Sequence, residues 1–186
     1  MKHIMMLVAI VFATSVATAQ DKMTKDSDKV NFSKMDVSPL DVTLFRNEKK
    51  EPIARVMYSR PQMKDREIFG NLVPYGKVWR TGANEASEVT FYRDMTVGGK
   101  KVSAGTYTLY TIPNEKEWTV ILNKANNVWG AYDYKEEMDV VRINVPVRTS
   151  PKPIESFSMA FKPVENGTHL MMGWDNTYVE IPFMSI

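Results

Sequence analysis

The residues best equipped for chemistry in this chain gather between Leu72 and Ala86. Pro74, Gly76 and Gly82 punctuate the segment as turn residues, and among them stand Tyr75, Trp79, Arg80, Asn84 and Glu85. These types supply an aromatic face, a guanidinium fork, an amide and a carboxylate. Such a set can hold a sugar or a peptide, because a ring stacks on apolar C–H faces while the polar groups take hydroxyls or a carboxylate. A second aromatic group, Trp129, Tyr132 and Tyr134, can form an opposite wall, and Arg60, Lys64 and Arg66 can add an anion-binding edge. The expected ligand-binding positions are therefore Tyr75, Trp79, Arg80, Asn84, Glu85, Trp129 and Tyr132. A competing, architectural reading stands beside this one. A tryptophan next to an arginine can close the end of a sandwich, with the guanidinium stacked on the ring, and Asn84 can simply satisfy a turn.

Several reaction classes are excluded by residue type. The chain has no cysteine and two histidines, of which only His169 lies outside the N-terminal leader. A zinc site of His and Cys ligands is ruled out, as is a cysteine nucleophile. A Ser-His-Asp triad would need His169, which falls on an expected strand beside a hairpin, where a packed or exposed histidine is the simpler reading. Gly98-Gly99-Lys100 lacks the upstream spacing and following helix of a phosphate loop. Carboxylates remain. Glu85, Glu88, Asp133, Glu136, Glu137 and Asp139 lie in or beside expected loops, and a facing pair can serve acid–base chemistry of the glycosidase kind. Asp133, Glu136 or Asp139 can also contribute to a hard-cation site. The run Lys135-Glu136-Glu137 reads instead as a solvated loop. No catalytic residue, metal site or cofactor is assigned.

The elements that must position these groups read as strands. Short runs of β-branched and aromatic residues recur at 41–46, 53–59, 88–94, 106–112, 118–123, 139–147, 154–161, 168–174 and 177–183. Phe157, Met159 and Phe161 alternate with Ser156, Ser158 and Ala160, the period of two that marks a half-buried strand. Gly98-Gly99 and Asn166-Gly167 are hairpin signals, because both pairs tolerate positive φ, and Asp175-Asn176 links the last two strands. One short helix is expected near Lys64–Phe69, ending at Gly70. Trp118 and Trp174 fall within strand patterns and read as core. The pattern predicts an all-β fold, an antiparallel β-sandwich of jelly-roll or immunoglobulin-like type with about nine strands and at most one short helix. A closed barrel is the alternative.

The N-terminus carries a secretory pattern. Lys2 and His3 precede an apolar run, Ile4 to Val16, that is short for a bilayer span, and Ala17-Thr18-Ala19 offers small residues for cleavage before Gln20. Residues 1–19 are expected to be a signal peptide, 20–38 a disordered spacer of polar and charged residues, and 39–186 the β-sandwich domain. With Lys2 removed, the 24 basic residues become 23 against 22 acidic ones. That balance gives no electrostatic case for nucleic acid or for an anionic membrane as partner, and no later segment is apolar enough to span a membrane. The expected location is periplasmic or secreted. The expected partner is a glycan, peptide or envelope component, and the oligomeric state is open.

The chain resembles a bacterial family known as domain of unknown function 2911. The blocks that carry the likeness are Tyr58-Ser59-Arg60-Pro61, Arg66 to Gly70, Leu72 to Asn84, Gly98-Gly99-Lys100, Ala104 to Pro113, Glu117 to Asn123 and Trp129 to Tyr134. The resemblance runs from about Pro39 to the C-terminus and implies an exported, mostly β protein of a Gram-negative envelope. It implies no activity and assigns no residue a role. From the residues, the leading expectation is a non-catalytic module that binds a small ligand, glycan or envelope component. A structural or partner-binding envelope protein is the second reading, and a carboxylate-dependent hydrolase the third.

Overall fold

Residues 32–186 are described by the computed structural model; the expected signal segment and residues 20–31 of the expected spacer lie outside them. Residues 36–186 form one compact unit. Alternating apolar side chains build two antiparallel sheets that face each other. The first has six strands: β1 (Leu40–Arg46), β2 (Pro52–Ser59), β3 (Glu88–Phe91), β6 (Gly105–Ile112), β7 (Glu117–Asn123) and β8 (Asp139–Pro146). They lie side by side in the order β1-β2-β3-β6-β7-β8. The second sheet holds β4 (Met95–Val97), β5 (Lys100–Val102), β9 (Arg148–Val164) and β10 (Gly167–Ser185), in the order β5-β4-β10-β9. The sheets do not close into a barrel, so the expected all-β sandwich is what the chain adopts.

Three expected strands depart from the sequence pattern. The run 88–94 is strand only as far as Phe91: β3 ends there in the first sheet, the chain turns through Tyr92–Asp94, and β4 begins at Met95 in the second. Asp94 secures the corner by accepting the Ala104 amide at 3.0 Å. The runs 168–174 and 177–183 are the two limbs of β10, which folds back at Asp175 with φ 54°. Gly173 consequently faces the Tyr178 Cβ, and His169 reaches Glu180 at 3.1 Å. The Gly98-Gly99 hairpin forms as expected between β4 and β5, with φ of 54° and 83°. The next hairpin turns one residue earlier than its Asn-Gly pair suggests, on Glu165 and Asn166, because Gly167 already pairs with Val164.

The short helix expected near Lys64–Phe69 does not form. Lys64 and Asp65 take φ of 50° and 56°, and two consecutive left-handed residues cannot propagate a right-handed helix. The Arg66 side chain donates back to the Met63 and Gln62 carbonyls, which holds the turn instead. A single 3-10 turn, Glu136–Met138, is the one helical element among the described residues.

The core lies between the inner faces. Phe91, Leu109, Trp118, Val120 and Leu122 of the first sheet meet Phe157, Leu170, Met172, Trp174 and Phe183 of the second, all buried. Each large side chain contributes roughly 1.5–3 kcal/mol on burial, which is how a chain without disulfides holds two sheets together. A smaller cluster lies on the opposite face of the first sheet, where Tyr110 and Ile121 are covered by Val78, Val128 and Tyr134.

Candidate functional site

The site is built by the long connection from β2 to β3, residues 60–87. At its start, Arg60 donates to Asp41 at 2.9 Å, to Ser158 at 2.9 Å and to the Phe157 carbonyl at 3.3 Å. The Phe157 amide donates to the Pro61 carbonyl at 2.9 Å and Gln62 bridges to Ser156, so the segment runs along β9. Ile68 and Phe69 then plunge into the core. The chain returns outward through Val73 and is fastened beside β6, beyond the end of β3. There the Trp79 amide donates to the Thr111 carbonyl at 2.7 Å, and the Thr111 amide donates back at 3.1 Å.

Trp79 docks into an aromatic group drawn from both sheets. Its ring centroid lies 5.1 Å from Phe157, 6.1 Å from Phe69, 6.2 Å from Trp118 and 6.1 Å from Trp174, the last nearly parallel at 15°. Its indole N–H donates to the Gly82 carbonyl at 3.2 Å. Thr81 has φ 56°, a region that β-branched residues avoid at a cost of about 1–3 kcal/mol. The neighbourhood enforces it. The Thr81 hydroxyl meets Thr111 Oγ1 at 3.1 Å and the Trp79 carbonyl at 3.2 Å, while the Ser87 hydroxyl donates to the Thr81 carbonyl at 2.6 Å. The Ser87 amide donates to the Arg80 carbonyl at 3.0 Å. Arg80 is thus carried on a backbone fixed on both sides.

A cleft of about 510 Å³ opens over this turn, lined by Trp79, Arg80, Leu72 and Trp174 together with Lys64 and Arg66. Arg80 is half-buried, and its Nε is fully buried without a hydrogen-bond partner. Buried guanidinium donors are normally paired, since leaving one unmet costs the desolvation of a charged group. The only other buried side-chain nitrogen or oxygen without a partner among the described residues is Trp118 Nε1, in the core, for which the structure offers no explanation.

Of the residues expected to bind a ligand, Trp79 and Arg80 share this cleft and the others do not line it. The Tyr75 ring packs over Gly70 and faces a separate depression beside Asn114–Glu117. Burial, with Glu115 and Glu67 adding to it, raises the pKa of the Tyr75 phenol. Asn84 donates to Asp36 at 3.3 Å, and its carbonyl accepts the Gly130 amide at 3.1 Å. Exposed Glu85 pairs through its backbone with Trp129. Trp129 and Tyr132 are 61% and 80% exposed. They form no opposite wall to the cleft; the further aromatic residue in its lining is Trp174, stacked beside Trp79, a residue that strand patterning marks only as core. Sequence reasoning had no signal for its second role, because the facing surface depends on how residues 61–66 cross β9.

Two of the loop carboxylates, Asp139 and Glu88, have structural roles. Both oxygens of Asp139 are engaged: Asn123 donates to one at 2.8 Å, and Tyr134 and Arg142 donate to the other at 2.7 and 3.0 Å. Arg142 also donates to the Tyr134 hydroxyl at 2.6 Å. Burial, and next the adjacent Asp139, push the Tyr134 phenol far above its usual range. Glu88 accepts the Asn127 amide at 2.6 Å. Together these bonds pin the 124–138 segment over Tyr110 and Ile121. Among the described residues, no carboxylate lines the Trp79–Arg80 cleft. No group of three His, Cys, Asp or Glu placed to hold a metal occurs among the described residues.

Fold and site define an all-β protein of two packed antiparallel sheets, with a ligand-sized cleft under a long interstrand connection. The family model described as protein of unknown function (DUF2911) matches residues 38–183, and the chain belongs to that family. No curated protein and no solved structure matches it.

Proposed function

We propose that this is an exported, non-catalytic module that binds a small ligand in the cleft beneath the 60–87 connection. The observation that carries the reading is Arg80, a half-buried cationic side chain that lines the cleft beside Trp79 and whose buried Nε has no hydrogen-bond partner among the described residues. A strained residue, Thr81, fixes the adjoining backbone, as expected where a binding group must be held in position. The aromatic surface of Trp79 and the side chain of Leu72 supply an apolar wall. Export rests on the leader of Lys2, the apolar run Ile4 to Val16 and the small residues before Gln20.

The test is a thermal-shift screen of glycans and envelope fragments against the mature protein, with Arg80→Ala as control. A ligand that raises the wild-type midpoint and leaves the variant unmoved supports the reading. A variant that loses several degrees of stability without any ligand assigns Arg80 to the scaffold and overturns it.

One observation favours a partner-binding alternative. The edge strand β1 shows Leu40 and Val42 to solvent, 57% and 52% exposed, with Leu44 following them on the same face. Such an edge can accept another strand. Loss of a co-purifying protein in Val42→Lys, with a silent cleft, supports that alternative.

A further inference from the structure

We infer that the cleft is built for an anion, a small ligand presenting an oxyanion group such as a carboxylate; this rests on the cleft being a ligand site. Among the described residues, the cleft lining carries three cationic side chains, Lys64, Arg66 and Arg80, and no carboxylate. None of the three forms an ion pair among the described residues. Arg60 contrasts with them. It leaves the same connection four residues before Lys64, yet its guanidinium is satisfied by Asp41, Ser158 and a carbonyl.

Acidic residues are close at hand without neutralising the trio. Asp65 and Glu67 interleave with Lys64 and Arg66 in the chain but do not line the cleft. One oxygen of the Glu155 carboxylate, Oε1, accepts the Lys64 backbone amide at 3.0 Å, and Glu155 does not line the cleft. Arg66 is already oriented by its bonds to the Met63 and Gln62 carbonyls, so it is partly pre-organised. Three cations line one cavity without an ion-pair partner among the described residues, and an oxyanion is the ligand whose charge complements them. A guanidinium fork takes carboxylate or phosphate through paired hydrogen bonds, and the Trp79 and Leu72 walls leave room for an apolar or sugar-ring body beside the charged group.

The experiment is a ¹⁵N NMR titration of the mature protein, following the side-chain Nε–H of Arg80 and the indole N–H of Trp79. Acetate and inorganic phosphate are added separately, with chloride holding ionic strength constant, and a neutral disaccharide, cellobiose, serves as a third arm. The expected result is a saturable shift of the Arg80 signal with an oxyanion. The affinity should fall by about tenfold in the double variant Lys64→Gln/Arg66→Gln, with the amide spectrum otherwise unchanged. Preference for acetate over phosphate at equal concentration assigns a carboxylate ligand, and the reverse assigns a phosphorylated one. Saturable shifts with cellobiose alone overturn the anionic inference and leave the cleft as a ligand site. No saturable shift in any arm, or an affinity for oxyanion unchanged in the double variant, overturns it as well; the first of these also counts against the cleft itself.

Discussion

Trp79 and Arg80 are neighbours in the chain with opposite structural duties. Trp79 touches four other rings and links the two sheets, so Trp79→Ala should cost about 3 kcal/mol or more and lower the thermal midpoint by roughly 10 °C. Arg80 makes no side-chain bond among the described residues and leaves one donor unmet. Arg80→Ala should therefore change stability by less than about 1 kcal/mol, which denaturant unfolding of the two variants in parallel will show. Arg60→Ala lies between them. It removes three hydrogen bonds at a partly exposed position, and a loss of about 1 kcal/mol is expected. An Arg80 variant that falls further than the Arg60 variant would contradict the separation of scaffold from site.

At the scale of elements, the β4–β5 hairpin and β10 each rest on a specific local feature. Gly98 needs φ 54°, and a Cβ there would meet Ile143 Cδ1 at 2.6 Å. Gly98→Ala should cost about 1–2 kcal/mol, read from the denaturant midpoint. The two limbs of β10 are tied by His169 and Glu180, and Lys162 of β9 approaches the same carboxylate at 3.7 Å. The hydrogen bond from His169 leads in lowering the Glu180 pKa, against the opposing effect of burial. A depressed carboxylate stabilises the fold fully above its unfolded value and loses that contribution as the pH falls through its folded value. Thermal midpoints should thus decline below about pH 4, and Glu180→Gln should flatten that decline while lowering the midpoint at neutral pH. A variant with the same acid slope as wild type would show that Glu180 is not the group responsible.

At the scale of the whole molecule, both sheets share the aromatic group around Trp79, so they should not unfold separately. Tryptophan fluorescence and far-ultraviolet circular dichroism should report a single coincident transition in denaturant; two resolved midpoints would show that the sheets are independent. Much of this architecture was legible beforehand. Alternation placed nearly every strand, and the buried roles of Trp118 and Trp174 followed from their place in it. Where the reading failed, the reason is physical. The expected run 88–94 overshoots β3 because Tyr92, Arg93 and Asp94 form an exposed corner between buried Phe91 and Met95, where the chain passes from one sheet to the other, a change that residue type alone does not mark. The helix expected at Lys64–Phe69 failed because its composition permits a helix while the left-handed turn at Lys64 and Asp65, held against β9, forbids it.

The sequence by itself determined the class of fold and the absence of cysteine chemistry, and it marked the segment Leu72–Ala86 as rich in aromatic and hydrogen-bonding side chains, because periodicity, residue type and turn propensity are local properties. Only the tertiary structure decided which residues share the site. It joined Arg80 with Lys64, Arg66 and Trp174, sent Arg60 to Asp41, and left Trp129 and Tyr132 on the surface. Those outcomes depend on how residues 60–87 cross β9 and fasten to Thr111, contacts between segments far apart in the chain that no local pattern records.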